Sequence, residues 1–345
     1  MNDDGGDPVA SELFGQAGRW WGLDLGEAHG LSKSHNTTVL RPDLGVVVRV
    51  YRPGVSVERV DALQAARRAL GEAGLPVVLL IPSQSGRTVE AVNGRAVEVE
   101  EFLEHDGRMN TPPRLLRGAV LLARVHDALA DLRLGPEGDH CPDANWISSV
   151  DVAANVRAGV DRIRSWGDPA THDLIDTALR LADLVSEAEV PLAAGGASQL
   201  VHGDFWDDNV YFRGEELVAV TDLDFMGNRP RVNDLALTLY LTDEEIQLGH
   251  APDRPAEERI ATLRPLVGAY AAALSTPLRE SEWQALPWVL ARQPLWGIGE
   301  WVRKLPSEAQ AKKHARATGG AVRRAIAVAA EADRWLAGLR GSTAV

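Results

Sequence analysis

Three polar side chains in the middle of the chain have types and spacing suited to catalysis. Asn209 lies five residues after Asp204, and Asp222 lies 18 residues after Asp204. A carboxylate can accept the proton of an attacking hydroxyl, and Asn and Asp oxygens are hard ligands suited to Mg²⁺. We therefore interpret Asp204 as a candidate catalytic base and Asn209 with Asp222 as candidate metal ligands, which are the components that phosphoryl transfer requires.

A predicted β-hairpin would bring these side chains together. Apolar stretches at residues 209–212 and 217–220 flank the Arg213-Gly214 turn, a pattern typical of a hairpin. Because antiparallel arms return the chain to its starting end, the loop at residues 204–209 and the acids Asp222 and Asp224 are expected to lie side by side.

Composition limits the classes of protein that the chain can belong to. Its 345 residues are 45% hydrophobic and 25% charged, as in globular proteins, and the length suggests two domains or two lobes. The net charge of −13 argues against a nucleic-acid partner. A single cysteine, Cys141, with neither a secretory N-terminus nor an apolar run of about 18 residues, favours a cytoplasmic protein without a membrane partner.

Hydrophobic periodicity changes along the chain and predicts an α+β fold. The pattern predicts a β-rich N-terminal lobe (residues 1–103) and a mainly helical C-terminal lobe (residues 104–345). Residues 1–8 are predicted to be a loose tail. Strands are predicted at residues 46–50, 77–81, 88–92 and 96–102, the last two joined by an Asn93-Gly94 turn, and helices at 57–72, 113–132, 150–166 and 172–188.

The polar motifs together resemble a known family. His202-Gly203-Asp204 with Asn209, then Thr221-Asp222 and Asp234-Leu235-Ala236, are similar to the motifs of the aminoglycoside phosphotransferase and choline kinase group of small-molecule kinases. Weaker similarities extend over about residues 30–240. The resemblance implies a two-lobed protein kinase-like fold, ATP and Mg²⁺ as cofactors, and transfer of the γ-phosphate to a hydroxyl of a small molecule. It also implies that the N-terminal lobe (residues 1–103) binds nucleotide and that the C-terminal lobe (residues 104–345) carries the catalytic loop and the acceptor site.

The resemblance also implies nucleotide-binding residues in the N-terminal lobe. Arg49 stands where the family commonly has a lysine that pairs with nucleotide phosphates, and Glu101 and Leu103 lie at the connection between lobes. The phosphate loop would lie at residues 30–36. The acidic helix partner of Arg49 stays open, with Glu58, Asp61 and Gln64 near the expected position.

Alternative functions and acceptors are left open at this point. A protein kinase is disfavoured, because the chain runs from Asp222 to Leu235 without an Ala-Pro-Glu motif. A catalytically silent nucleotide-binding module stays possible. Residues 106–302 hold 17 Arg and Lys against 31 Asp and Glu, which with Trp283, Trp288, Trp296 and Trp301 favours a cationic acceptor such as an aminoglycoside. Choline, homoserine and sugar acceptors fit the same fold.

Several neighbours of the motif have structural interpretations beside functional ones. His202 is expected to orient the loop by hydrogen bonding, and Asp234 to cap the helix that follows it. Trp206, Asp207 and Asp208 can face either substrate or solvent.

Overall fold

The computed structural model describes residues 8–25, 31–33, 36–140, 146–193, 198–248 and 253–341. Cys141, most of the predicted N-terminal tail and part of the expected phosphate loop lie outside these residues. The chain forms two compact units. The first unit contains the residues up to Gly107 together with Leu134–Gly138 and Tyr211–Thr221, and the second contains Arg108–Arg133, Asp139–Val210 and the chain from Asp222 onward.

The first unit contains a five-stranded antiparallel sheet of order β1-β2-β3-β5-β4. The strands are β1 (Leu31–Lys33), β2 (Thr37–Arg41), β3 (Val46–Val50), β4 (Val89–Val92) and β5 (Arg95–Glu101), and the helices are α1 (Pro8–Trp21) and α2 (Val57–Glu72). The predictions of strand 46–50, helix 57–72 and the hairpin at residues 93–94 are confirmed.

The two faces of this sheet are covered by different helices. Val46, Val48 and Val50 pack with Phe14 and Trp21 of α1 on one face. Tyr51 and Ala96 pack with Val60 of α2 on the other face. Because successive strand residues point to opposite faces, Arg49 lies on the face covered by α2.

The predicted strand at residues 77–81 is wrong. This segment makes only isolated bridges, Val77 with Val220 and Leu80 with Glu100. Prolines at 76 and 82 bound it and remove backbone donors, so no continuous ladder develops.

A second hairpin extends the first unit beyond the division that we predicted at residue 103. Its arms are strands β8 (Val210–Arg213) and β9 (Glu216–Val220). Two short strands precede it in the chain, β6 (Gly107–Arg108) and β7 (Gln199–Val201). The Val220 N–H donates to Pro76 O, and the Asp106 N–H donates to Phe212 O. Leu134–Gly138 joins the same unit because Arg59 donates to the carbonyls of Glu137 and Gly138.

The second unit is mainly helical. The predicted helices 113–132, 150–166 and 172–188 are confirmed with small shifts in their ends. The helices that follow α2 in the chain are α3 (Pro112–Leu129), α4 (Pro136–Asp139), α5 (Val152–Arg164), α6 (His172–Ala193), α7 (Arg231–Leu248), α8 (Ala256–Ala273), α9 (Glu280–Arg292), the π-helix Gly297–Val302, α10 (Glu308–Ala330) and α11 (Ala332–Arg340). All of them belong to the second unit except α4, which lies mostly in the first.

One short strand pair in the second unit positions the polar motifs. Strand β7 pairs antiparallel with β10 (Gly227–Arg229), with Val201 opposite Gly227. The residues after β7 and the residues before β10 therefore lie at the same end of the pair. This places residues 202–204 beside residues 222–226.

Among the described residues, no helix is both long and apolar enough to span a bilayer.

A glycine-to-alanine pair tests the packing of the second unit. A Cβ at Gly159 of α5 would lie 2.2 Å from the carbonyl oxygen of Ile298 in the π-helix. We expect Gly159→Ala to lower the free energy of unfolding by about 2 kcal/mol, because backbone must move. Gly268→Ala in α8, where no atom lies within 4 Å, should instead raise it by about 0.5–1 kcal/mol. Urea unfolding measures both, and equal effects would contradict the packing.

Candidate active site

The loop that follows β7 carries the predicted base. His202 is fully buried, and its Nδ1 accepts a hydrogen bond of 3.3 Å from the Asp204 N–H. The rings of His202 and Phe205 meet edge to face at 5.5 Å. His202 thus contacts the loop that it was predicted to orient, and Asp204 stays half-buried.

Gly203 is the point at which the loop meets the segment before β10. Its φ is +83°, a region that disfavours side chains, and a Cβ would lie 2.0 Å from the Phe225 carbonyl oxygen. Only glycine therefore allows the two backbones to approach at this point. Because Asp204 and Asp222 lie one and three residues from these contacting positions, the contact fixes their relative placement.

A buried carboxylate holds the same glycine from another side. Asp234 Oδ1 accepts a 2.8 Å hydrogen bond from the Gly203 N–H, and Oδ2 lies 3.2 Å from His126 Nε2. His126 Nδ1 lies 2.7 Å from the hydroxyl of Tyr270. Burial alone would raise the pKa of Asp234, but the hydrogen bond and charge of His126 lower the pKa below its ordinary value. The expectation that Asp234 caps α7 is corrected, because its oxygens bind the catalytic loop and His126.

Asn209 is bonded directly to Asp204. Its Nδ2 donates to Asp204 Oδ2 at 3.0 Å and to the Asp204 carbonyl at 2.8 Å. The residue is 7% exposed and ends a short 3-10 turn, Asp207–Asn209. With the amide nitrogen used in this way, Oδ1 is the atom of Asn209 that can bind a cation.

Asp222 occupies an unusual backbone conformation at the start of the Leu223–Phe225 turn. Its φ and ψ are 60° and 67°, the left-handed region, which costs a non-glycine residue about 1–2 kcal/mol. Strain of this kind is concentrated at functional sites. The strand pair β7–β10 brings this segment to the catalytic loop.

The donor set fits Mg²⁺ bound mainly by substrate. Among the described residues, no group of three or more His, Cys, Asp or Glu side chains could hold a metal ion. Mg²⁺ in phosphate-transfer sites needs only one or two protein oxygens beside water and phosphate. Asn209 Oδ1 and the Asp222 carboxylate match that requirement.

In the first unit, Arg49 has acidic neighbours on the adjacent strand. Arg49 lies opposite Glu98 in the β3–β5 register, with Nε 3.8 Å from Glu98 Oε1 and an NH2 3.6 Å from Glu100 Oε1. Of the three helix candidates, Gln64 lies beside these acids and donates to Glu98 at 2.8 Å. Glu98 and Glu100 alternate with the apolar residues Val97 and Val99 along β5. This alternation is the sequence pattern that indicates acids on the face of Arg49.

The other two predicted nucleotide contacts lie at the end of β5. The Glu101 N–H donates to Leu79 O at 3.0 Å, and its carboxylate accepts from the Leu79 N–H at 3.1 Å. The carbonyl of Glu101 is therefore the group that could meet a base. Leu103 lies two residues further on and is half-buried.

A cavity of about 150 Å³ adjoins the catalytic loop within the second unit. Asp207 and Glu245 are its two acids, and Thr242 adds a hydroxyl. Its other lining residues are Met109, Asn110, Leu115, Trp206, Leu241 and Ile246. Trp206 thus faces the cavity, whereas Trp296 and Trp301 pack against His314 instead.

Asp207 has an electrostatically unfavourable position in this cavity. Its Oδ1 is buried, and no hydrogen-bond partner is found for it among the described residues. Burial, followed by the negative charges of Glu245 and Asp208, raises the pKa of Asp207 to about 6. Asp208 itself is ion-paired with Arg108. The cavity therefore favours a group that brings positive charge and hydrogen-bond donors.

Gly203→Ala tests the backbone contact. We expect kcat to fall by at least about 100-fold, because a displacement of about 1 Å at the loop misplaces Asp204. Gly214→Ala, at a hairpin turn where no atom lies within 4 Å and φ is also positive, controls for backbone strain alone. Steady-state kinetics give kcat for both variants, and thermal unfolding gives their stability. Similar activity in the two variants would contradict the role of Gly203.

Sequence and structure comparisons place the chain among known proteins. The model of the phosphotransferase enzyme family matches residues 29–272, more than half of the chain. The homoserine kinase of Rhodopseudomonas palustris (strain ATCC BAA-98 / CGA009) is 26% identical over 250 residues, covering 71% of this chain and 68% of that protein.

Solved structures share the fold at low sequence identity. The microcompartment-associated aminopropanol kinase superposes with a TM-score of 0.63 at 17% identity, covering 96% of this chain and 99% of that chain. An amicoumacin kinase in complex with AMP-PNP and Ca²⁺ superposes with a TM-score of 0.64 at 13% identity, covering 90% and 92%. These similarities confirm the predicted two-lobed, protein kinase-like α+β fold. The chain belongs to the phosphotransferase enzyme family and is a small-molecule kinase that acts on hydroxyl groups.

Proposed function

We propose that this kinase transfers the γ-phosphate of Mg²⁺-bound ATP to a hydroxyl of a small, amine-bearing molecule in the cytoplasm. Asp204 is the catalytic base, and Asn209 and Asp222 hold the metal ion. Arg49 binds nucleotide phosphates, and the backbone at Glu101 and Leu103 binds the nucleotide base. The N-terminal unit is the nucleotide-binding part, and the C-terminal unit holds the catalytic loop and the acceptor.

The hydrogen bond between Asn209 and Asp204 carries this proposal. It joins a candidate base to a candidate metal ligand through one amide, so a shift of either side chain moves the other. Phosphoryl transfer depends mainly on positioning and on charge stabilisation, so such coupling serves the reaction directly.

The chain's own residues then have separate tasks. Asp204 accepts the proton of the acceptor hydroxyl as the hydroxyl oxygen attacks the γ-phosphorus of ATP; the bond from that phosphorus to the bridging oxygen breaks, and ADP leaves. The amide of Asn209 holds the Asp204 carboxylate in place, and Asp234 holds the preceding glycine. Bound Mg²⁺ would supply neutralisation of the phosphate oxygens.

The cavity beside the loop supports an acceptor that carries an ammonium group. Asp207 and Glu245 bring two carboxylates to a space lined mainly by apolar side chains, and the buried Asp207 Oδ1 has no hydrogen-bond donor among the described residues. An ammonium donates up to three hydrogen bonds and supplies the opposite charge. Homoserine and aminopropanol, acceptors named for two similar proteins, both carry an amine and a hydroxyl.

Cavity size favours a small amino alcohol over a large antibiotic. The cavity of about 150 Å³ accommodates a short amino alcohol. An aminoglycoside is the second candidate, supported by the acidic composition of residues 106–302. Turnover assays with ATP and Mg²⁺ on amino alcohols, homoserine, choline and aminoglycosides separate the two. Turnover only of uncharged sugars would contradict the amine requirement.

Asp204→Asn tests the base. We expect kcat to fall by about 10²- to 10⁴-fold, while the Kd of Mg·AMP-PNP changes by less than about threefold, because the base acts in the chemical step. Rapid-mix kinetics and calorimetry provide the two values.

Two further variants serve as comparisons for that test. Asp208→Asn changes the charge of the same loop at a side chain paired with Arg108, and it should retain most activity. Asp222→Asn should weaken nucleotide binding only when Mg²⁺ is present. Retained turnover in Asp204→Asn would remove Asp204 from the role of base.

Asp207→Asn tests whether the negative charge of Asp207 binds the acceptor, and the pH dependence of KM is the readout. In the wild type, KM for an amine acceptor should rise as pH falls below about 6, because the Asp207 carboxylate becomes protonated. In Asp207→Asn, KM should be raised at pH 7.5 and should lose this dependence. A pH profile of KM is the measurement.

Asp207→Asn should weaken acceptor binding but raise the free energy of unfolding at neutral pH. The folded-state pKa of Asp207 is raised above its ordinary value of 3.8, so ionisation destabilises the native state as pH rises from about 4 to 6. Asp207→Asn should therefore be more stable than the wild type at pH 7.5, by about 1 kcal/mol after discounting for its half-exposed position, and equal near pH 4. Asp173→Asn, at an exposed surface pair, is the control. Destabilisation at pH 7.5 would contradict the assignment.

A further inference from the structure

Two hydrogen bonds from helix α7 hold the catalytic loop on either side of Asp204. Asp234 Oδ1 accepts from the Gly203 N–H at 2.8 Å. The hydroxyl of Thr238 donates to the Phe205 carbonyl at 2.6 Å. Because residues four apart on a helix lie on one face, α7 presents both groups to the same loop. The loop is thus attached to one helix immediately before and immediately after the proposed base.

The buried hydroxyl of Thr238 has two acceptors within reach. The Phe205 carbonyl oxygen lies at 2.6 Å, and the carbonyl oxygen of Asp234, one turn earlier in α7, lies at 3.0 Å. A hydroxyl has one proton to donate, and the shorter distance assigns it mainly to Phe205. The contact with Asp234 is the ordinary one of a helical threonine, whereas the bond to Phe205 joins segments 33 residues apart.

The bonds of the loop fall into two kinds. His202 accepts from the Asp204 N–H, and Asn209 donates to the Asp204 carbonyl and carboxylate, so these bonds shape the loop from within. The bonds of Asp234 and Thr238 instead hold the loop to α7. Internal bonds keep the base in place relative to its own loop, but the external ones set the place of that loop in the second unit.

The Phe205 carbonyl is buried and needs a donor. Phe205 is fully buried, and it lies between strand β7 and the 3-10 turn Asp207–Asn209 rather than in a helix or strand. A buried carbonyl that loses its donor is costly, so the peptide plane would turn toward another one. Because peptide units are planar, such a turn also changes the direction in which the preceding residue, Asp204, projects its side chain.

Helix α7 also borders the cavity proposed for the acceptor. Thr242 lies one turn after Thr238, and Glu245 follows it; both line that cavity. The helix that holds the proposed base on one stretch therefore meets the proposed acceptor on the next. A bond between α7 and the loop fixes the base relative to both.

We infer that Thr238 is a positioning residue for phosphate transfer: its hydroxyl binds the Phe205 carbonyl and so holds the Asp204 carboxylate toward the acceptor hydroxyl. This inference rests on the proposed role of Asp204 as the base. It adds a second attachment of the loop to the one made by Asp234.

Thr238→Val tests the inference, because valine puts a methyl group in place of the hydroxyl. We expect the single-turnover rate constant of transfer to fall about 10- to 100-fold, since a displacement of less than about 1 Å misaligns the base. The Kd of Mg·AMP-PNP should change by less than about threefold, because the base acts in the chemical step. Rapid mixing gives the rate constant, with the acceptor that shows the highest turnover among homoserine, amino alcohols, choline and aminoglycosides. Calorimetry gives the Kd.

Two matched variants separate positioning from a loss of stability. Thr238→Ser keeps the hydroxyl and should restore the rate constant to within about threefold of wild type. Thr318→Val removes another buried threonine hydroxyl, which donates to the His314 carbonyl within α10 at 2.9 Å, and should leave the rate constant unchanged. Equal rate constants in Thr238→Val and Thr318→Val would overturn the inference, and so would a failure of Thr238→Ser to restore transfer.

Hydrogen–deuterium exchange of the full chain tests the contact without an acceptor. In Thr238→Val, amides of residues 203–206 should exchange about tenfold faster than in wild type, as expected for one lost buried hydrogen bond, and should accelerate more than those of α10. In Thr318→Val, residues 203–206 should exchange as in wild type. Unchanged exchange of residues 203–206 in Thr238→Val contradicts the inference.

The outcomes for two residues distinguish this inference from the proposed function. Retained turnover in Asp204→Asn removes the proposed base, while exchange still reports whether Thr238 holds the loop. Loss of turnover in Asp204→Asn with wild-type transfer in Thr238→Val overturns the inference and leaves the proposed function standing. Thr238→Ala, which also lacks the hydroxyl, replaces Thr238→Val if that variant does not fold, and wild-type transfer in it counts equally against the inference.

Discussion

The proposed active site depends on one close approach of two backbone segments, at Gly203 and Phe225. The contact is possible because residue 203 has no side chain, and the carboxylate of Asp234 holds its amide in place. Asp204 and Asp222 flank the contact, so backbone geometry rather than flexible side chains sets their separation. Sites built in this way hold catalytic groups to the small tolerances that phosphoryl transfer needs.

Buried ionic groups perform a related task in both units. Asp234 is bonded to His126 and to the catalytic loop, and Glu98 is bonded to Arg67, Gln64 and Tyr51. Because desolvation offsets most of the attraction within a buried ion pair, such groups add little to the free energy of unfolding. Their contribution is orientation, since a buried charge accepts few alternative arrangements of its donors.

Local sequence patterns predicted most of the helices and strands that we named, but not which distant segments pair. Helix α2 is an example: Gly74 and Pro76 follow it in the sequence and indicate its end, and Ser56 caps its start in the structure. Strands β7 and β10 have three residues each, too few to show an alternation of apolar and polar residues. Their pairing joins segments that are separated by 25 residues, so no local pattern indicates it. We expected the hairpin to assemble the acids, but its arms lie mostly in the first unit while Asp204, Asn209 and Asp222 lie in the second. The acids near Arg49 lie on strand β5, whereas the resemblance implied an acid on the helix, so they were not predicted.

Two carboxylates of the second unit show how environment separates a structural acid from a binding one. Asp234 is fully partnered, and its pKa is lowered. Asp207 lies beside two other acids in a cavity, and its pKa is raised to about 6. Folding alone gains nothing from the second arrangement, since a neutral residue of the same shape would avoid the cost of ionisation. A cation in the cavity would offset this cost, which supports the proposed role of Asp207 in binding the acceptor.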